Sequence, residues 1–236
     1  MPNPEQPKAS LLTRIVARIR ARRFSYLAKS IIILILAYPY LETNTVDQII
    51  LTVLTIFVML AAIIAVSQSR RDYIIMACLS LPWFLSLLLN VPLFESEGGV
   101  NVRKEIVFAV LLFSYTTISI FIHLIRSREV TTEILFAAVC VYLLIGLTWA
   151  SLYVFVDLVN PGSFVDTSGK LPMTSPRYLF FSFVTLTTVG YGTLTPATDQ
   201  ARSIAMMEAI VGQIYITILV ARLVGLHISK PRAPES

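Results

Sequence analysis

The sequence predicts an all-α membrane protein of six transmembrane helices, with a short re-entrant helix and a glycine-bearing loop between the last two. Three observations predict it. Hydrophobic residues make up 56% of the 236-residue chain and charged residues 14%, against about 25% charged in an ordinary soluble domain. Apolar runs of membrane-crossing length recur along the chain. Basic residues collect on alternate connections between those runs. The mean hydropathy of +0.76 excludes a soluble domain, a disordered chain and a disulfide-rich secreted scaffold. Cys78 and Cys140 both lie inside apolar runs, which points to neither redox chemistry nor metal binding.

A spanning helix takes about 20 mostly apolar residues. Thr45 to Ser67, Tyr73 to Phe94, Glu105 to Ile125, Glu133 to Val156 and Ala201 to Ile228 meet this. Phe24 to Leu41 is weaker, because its uninterrupted apolar core, Ile31 to Tyr38, is bordered by Lys29 and Pro39. By itself it reads as a span or as an interfacial segment. Charge decides between these. With six spans and both termini cytoplasmic, the inner side collects Lys8, Arg14, Arg18, Arg20, Arg22, Arg23, Lys29, Arg70, Arg71, Arg126, Arg128, Lys230 and Arg232, while Arg103, Lys104, Lys170, Arg177 and Arg202 lie outside and Arg222 sits within the last helix. Removing the first span would put the basic N-terminus outside, against the positive-inside rule. Lys29 snorkels to the inner interface. The net charge of +5 therefore faces lipid headgroups, and no nucleic-acid partner is expected.

Residues 1–23 form a basic amphipathic segment. Leu11, Leu12, Ile15, Val16 and Ile19 share one helical stripe, and Arg14, Arg18 and Arg20 fall off it. This is the pattern of a helix lying in the headgroup plane over anionic lipid; a disordered basic leader is the alternative. The long basic region, and Tyr38-Pro39-Tyr40-Leu41 with no small-residue cleavage site, argue against a cleaved signal peptide.

The connection between the fifth and sixth spans differs from the others. A polar stretch, Asp157 to Ser175, leads into a short apolar run, Pro176 to Thr187, and then into a Gly-Tyr-Gly turn. Ser175-Pro176 is a helix start, with Ser as cap and Pro in the first turn, where its missing N–H is not needed. Twelve residues rise about 18 Å, too little to span. A helix entering and leaving from the outer side fits.

Thr185-Leu186-Thr187-Thr188-Val189-Gly190-Tyr191-Gly192 follows that helix. Here the chain resembles the potassium-channel pore family, whose signature is T-V-G-Y-G, and Thr188 to Gly192 match it at every position. The flanking order of apolar span, polar turret, short helix, loop and apolar span fits as well. A potassium ion crossing hydrocarbon exchanges its water shell for other oxygens, and a ring of backbone carbonyls supplies them. Turning successive carbonyls toward one axis needs unusual φ/ψ, which glycine reaches without a Cβ penalty.

The resemblance implies a selectivity filter with ion sites at the carbonyls of Thr188, Val189, Gly190 and Tyr191, closed by Gly192, with the Thr188 hydroxyl innermost. Val189 and Tyr191 would brace the strand from behind, and the pore helix would aim its negative C-terminal end, near Thr187, at a cation. One chain holds one filter, so the resemblance also implies a homotetramer. The domains on this reading are the segment 1–23, a four-helix sensor-like block 24–128, a pore domain 129–228 and a tail 229–236. K+ is the permeant ion, and no other cofactor or metal is expected.

The resemblance extends into the last span. Gly212 lies twenty residues after Gly192, a place where these channels often carry a hinge glycine. Because a glycine inside a helix costs about 1 kcal/mol, hinge and tight packing are both open readings. Gly225 is a second gate candidate, and Pro196 fits the turn from filter to helix. Thr193 departs from the aspartate that commonly follows the filter. Phe180 and Phe181 stand where tryptophans are common and cannot donate a hydrogen bond to Tyr191, which leaves Thr185 as the partner for that hydroxyl. Glu208 is a carboxylate within the sixth span. It reads either as a brace or proton-sensitive element behind the filter or as a water-facing residue near the outer helix end.

Six spans with the pore in the last two resemble the voltage-gated layout, but Ile106 to Ile122 contains no basic residue. Each charge moved across the membrane harvests about 2.3 kcal/mol per 100 mV, so this helix has nothing to harvest with. The eight residues after Ile228 are too few for a ligand-binding module. His123 and His227 lie near the inner face, where a packed or solvated role is more common than a pH sensor.

The sequence thus points to a tetrameric potassium-selective channel of the plasma membrane, multi-pass, without intrinsic voltage sensing and without enzymatic activity. A weakly selective cation channel and a non-conducting lipid-sensing membrane subunit are the alternatives. An intramembrane enzyme is disfavoured, since no zinc-protease motif, serine elbow or paired aspartates occur.

Overall fold

The computed structural model describes residues 21–41, 45–67, 69–89, 102–167 and 175–228. Most of the basic amphipathic segment, residues 1–20, and the tail 229–236 lie outside the described residues, as does the side chain of His227. In chain order the described elements are α1 (Arg23–Ala37), α2 (Thr45–Val66), α3 (Arg70–Leu89), α4 (Val102–Arg126), α5 (Thr132–Val159), β1 (Phe164–Asp166), α6 (Ser175–Leu186), β2 (Leu194–Pro196) and α7 (Asp199–Ile228).

Four of these helices are long and apolar enough to cross a membrane, over Ile49–Val66, Ile106–Arg126, Thr132–Val159 and Asp199–Leu226. α1 and α3, the two others of the expected six, are not among these four. α1 has 15 residues, about 22 Å of rise, before Pro39 turns the chain into a 3₁₀ turn at Tyr38–Tyr40. α3 opens on Arg70, Arg71 and Asp72 and carries Pro82, which leaves the Cys78 carbonyl without its helical N–H. The short α6 has 12 residues, as its composition predicts.

Helix starts are marked by side chains. Thr131 accepts from the Ile134 N–H (3.3 Å) ahead of α5. Ahead of α3, the Ser69 N–H donates to Asp72 and the Asp72 N–H donates to the Ser69 hydroxyl, both at 3.2 Å. This is a reciprocal capping box. Asp72 also accepts from the Tyr115 hydroxyl of α4 (3.1 Å), so an interfacial charge is tied into the bundle.

α1 lies against α2 and α5, α4 runs along both α3 and α5, and α6 sits between α5 and α7. Leu27, Ile31, Val58, Met76, Leu112 and Leu144 are fully buried where these helices meet. Leu36, Phe57, Leu81, Ile118 and Ile214 face outward, an apolar exterior that suits lipid rather than water. Within the apolar helices, Thr116, Thr148 and Ser151 return their hydroxyls to the carbonyl four residues back at 2.7–2.9 Å, which keeps polar groups satisfied without water. Other polar bonds cross between helices. The Cys140 thiol of α5 donates to the Phe24 carbonyl of α1 (3.2 Å), and the Tyr215 hydroxyl of α7 donates to the Ala138 carbonyl of α5 (2.6 Å).

The Tyr215 bond is buried, and Phe fills the same space without the hydroxyl. Tyr215→Phe is expected to lower stability by about 1 kcal/mol, read as a lower thermal midpoint in detergent. An unchanged midpoint would show that the bond contributes nothing net.

Candidate functional site

The chain between α5 and α7 folds back so that its two ends pair. β1 and β2 are antiparallel, with Phe164 opposite Pro196, Val165 opposite Thr195 and Asp166 opposite Leu194. The Ala197 N–H donates to the Ser163 carbonyl (2.8 Å) and the Thr167 N–H to the Thr193 carbonyl (3.0 Å). The Thr167 hydroxyl lies 3.1 Å from the carbonyl oxygens of both Gly192 and Thr193.

Two further bonds fix the first turn of α6. Arg177 forms an ion pair with Asp166 of β1, and the Tyr178 hydroxyl donates to Asp157 of α5 (2.7 Å). Beneath them Tyr153, Phe164, Tyr178 and Phe181 pack edge-on with centroids 5.0–5.6 Å apart. Edge-to-face rings at this spacing form a stiff apolar block.

The C-terminus of α6 sets the next segment. The Thr188 N–H donates to the Thr185 carbonyl and the Val189 N–H to the Val184 carbonyl, both at 2.9 Å. This is the Schellman arrangement, whose left-handed position usually holds glycine. Here it holds Thr188, at φ 59°, although β-branched residues rarely adopt that region. Left-handed φ recurs at Gly190 (64°) and Gly192 (74°), while Val189 and Tyr191 between them do not share it. Alternating the sign of φ breaks the strand pattern in which successive carbonyls point to opposite sides, and turning carbonyls toward one side requires unusual backbone of this kind. Thr187 to Thr193 are all exposed in the single chain. The Thr187 hydroxyl is satisfied locally by the Phe183 carbonyl (2.6 Å).

Behind this segment the Phe180 ring stacks on Tyr191, with centroids 5.9 Å apart and planes 8° from parallel. Tyr191 is therefore backed by a ring face. The Thr185 hydroxyl expected to hold it makes no hydrogen bond to Tyr191 among the described residues, although Thr185 lines, with Phe180, Phe181, Val184 and Gly190, a cavity of about 200 Å³ between α6 and the segment.

Glu208 is fully buried, which removes the water-facing reading. Its carboxyl accepts from the Tyr153 hydroxyl of α5 at one oxygen and meets the Ser182 hydroxyl of α6 at the other. Ser182 also reaches the Gly146 carbonyl of α5 (2.8 Å). A Cβ on Gly212 would lie 2.6 Å from the Leu186 carbonyl oxygen. Close approach to α6 therefore accounts for this glycine without a hinge. A Cβ on Gly225 would meet nothing outside its own helix within 4 Å.

The sequence-picked residues thus fall in two groups. Thr185, Thr187, Thr188 to Gly192, Phe180 and Phe181 lie together at and behind the end of α6, with Glu208 and Gly212 against the same helix from α7. Gly225 lies apart, near the other end of α7. Thr167, Ser182, Tyr153 and Gly146 were not picked. A tyrosine and a glycine on the fifth span were the readable signals, because each needs a partner or a reason inside an apolar helix. Among the described residues no group of three or more His, Cys, Asp or Glu is placed to hold a metal. Both cysteines are free thiols.

The hydroxyl of Thr167 closes the C-terminal end of the segment. Thr167→Val keeps its shape and leaves the Gly192 carbonyl without this donor, a loss of about 1 kcal/mol. Amide hydrogen exchange over 189–194 is expected to speed up several-fold. Unchanged protection there would remove Thr167 from the site.

Residues 129–227 match a family model described as an ion channel. The match covers somewhat less than half of the chain and takes in α5, β1, α6, the segment and nearly all of α7. No curated protein and no solved structure matches the chain. Together with four helices able to cross a membrane, the match supports a membrane protein that conducts ions.

Proposed function

We propose that the chain is a potassium-selective channel in which copies surround one axis and Thr188 to Gly192 of each form the filter. The observation that carries this reading is the alternation of φ at Thr188, Gly190 and Gly192 in a segment exposed on its own chain. Carbonyls turned to one side replace a cation's water shell only when other chains complete the ring. A threonine held in the glycine region at the helix end is strained, and strain of this kind collects at functional sites. The C-terminal end of α6 adds its negative dipole at the inner end of the filter. Four chains, the number the pore-family resemblance implies, give a closed ring.

On this reading α1 and α3 also cross, the termini are cytoplasmic, the channel sits in the plasma membrane and anionic lipid meets residues 1–23. α4 carries its basic groups only at its ends: Arg103 and Lys104 in the first turn, His123 and Arg126 in the last. Opening then does not draw on membrane potential.

The test is a bi-ionic reversal potential in bilayers holding the purified protein. A large shift between K+ and Na+ is expected, and conductance that does not rise steeply with voltage. A shift near zero would replace this reading with a weakly selective cation channel. One observation favours that second reading: Tyr191 is backed by a ring stack, and among the described residues no hydrogen bond from Thr185 holds it.

A further inference from the structure

The contacts of Glu208 contain one hydrogen more than two hydroxyls can supply. Three oxygen–oxygen contacts meet there: Tyr153 with one carboxyl oxygen, Ser182 with the other, and Ser182 with the Gly146 carbonyl. The Tyr153 hydroxyl supplies one hydrogen and the Ser182 hydroxyl one. The Gly146 carbonyl has none to give. With an ionised Glu208, Ser182 would serve one acceptor and sit bare against the other. Three hydrogen bonds require the third hydrogen on Glu208.

We infer that Glu208 is held as a neutral carboxylic acid, whose O–H donates to Ser182, whose O–H in turn donates to Gly146, and that this proton positions α6 between α5 and α7. Glu208 touches no ion, so it is a positioning residue. It rests on the channel reading only in so far as α6 carries the filter.

The surroundings agree with a neutral group. Glu208 and Ser182 are both fully buried. Among the described residues no Lys, Arg or His pairs with Glu208; the ion pairs there join Arg177 to Asp166 and Arg202 to Asp199. The titratable side chains near it, Tyr153 and Tyr142 of α5, belong to a type that is ordinarily neutral at physiological pH. An ion buried with no counter-charge is costly, whereas a neutral acid donating once and accepting once leaves no oxygen unmatched. The chain Glu208–Ser182–Gly146 crosses from α7 through α6 to α5, one turn before Leu186, so its geometry reaches the segment through the last turn of the helix.

Glu208→Gln discriminates. A glutamine amide donates to Ser182 and accepts from Tyr153, which reproduces the neutral acid and not the carboxylate. K+ flux from liposomes and the thermal midpoint are expected to stay close to wild type in Glu208→Gln, with flux within about twofold, and to fall at least about tenfold in Glu208→Asp, whose shorter side chain cannot span both partners. The infrared difference between wild type and Glu208→Gln in membranes at neutral pH reads the proton directly. A protonated-carboxyl C=O band that shifts in D2O is expected. Carboxylate bands in its place, or a Glu208→Gln protein that loses stability as Glu208→Asp does, overturn the inference. A wild type that passes no K+ defeats the channel reading instead, and the infrared band still decides the proton.

Discussion

If Thr188 to Gly192 form the proposed filter, Gly190→Ala is expected to silence K+ flux while the helices stay folded. Gly190 sits at φ 64° with open space where a Cβ would go, so the obstacle is backbone conformation and not a clash. An L-residue in the left-handed region costs about 1–2 kcal/mol. That is small against the stability of a helical bundle but large for a loop tied to α6 by a few backbone bonds, from the Thr188 N–H to the Thr185 carbonyl and the Val189 N–H to the Val184 carbonyl, both at 2.9 Å, and from the Gly190 N–H to the Val184 carbonyl at 3.4 Å. On the proposed reading the strained peptide is expected to relax by rotating, which would take its carbonyl away from the axis.

A change of 1.4 kcal/mol moves a local equilibrium about tenfold, and a ring needs every chain to be correct at once. Flux from liposomes is expected to fall well beyond about tenfold, with unchanged far-ultraviolet circular dichroism. Wild-type flux from a folded Gly190→Ala protein would mean that this segment does not conduct.

Gly212→Ala is expected to act through packing. Its Cβ would lie 2.6 Å from the Leu186 carbonyl oxygen and 2.8 Å from the Leu186 Cδ1. The leucine tip can rotate, but the carbonyl belongs to the backbone of the last residue of α6, so the helix or α7 must shift. Overpacking of this kind costs about 1–3 kcal/mol. A lower thermal midpoint is expected, and because the displaced residue is two before Thr188, a change in flux with it. Gly225→Ala is the matched control. A Cβ on Gly225 would meet nothing outside its own helix within 4 Å, and alanine in a helix gains up to about 1 kcal/mol over glycine, so that variant should be no less stable than wild type. The reverse ranking would remove the close approach of α6 and α7 at Gly212.

The helices were legible in the sequence because apolar runs and punctuation are local. Thr45–Val66 and Thr132–Val159 lie within a few residues of the runs that predict them. Ser175-Pro176 marks the start of α6, and its end at Leu186 falls where the threonine-rich loop begins. Hydropathy was less decisive for α1, where Lys29 and Pro39 border a short apolar core. The Thr188–Gly192 segment was legible as a motif, and its two glycines marked where left-handed φ is needed. Thr188 was legible only as a ligand. That it also occupies the glycine position of a helix cap depends on how α6 ends, which a threonine in sequence does not announce.

By itself, the sequence determined the membrane character of the chain, the place of its short helix and the loop that follows, since composition and spacing along the chain suffice for these. Tertiary structure decided which side chains stand behind that loop. Phe180 rather than Thr185 backs Tyr191. Glu208 is buried against Tyr153 and Ser182, 55 and 26 residues away, instead of facing water. Gly212 is small because a carbonyl of another helix lies against it. Each of these depends on how α5, α6 and α7 are set against one another, and the partners meet only when the three helices pack. A buried carboxyl has its protonation set by the hydrogens its neighbours can offer, and those neighbours are known only from the fold.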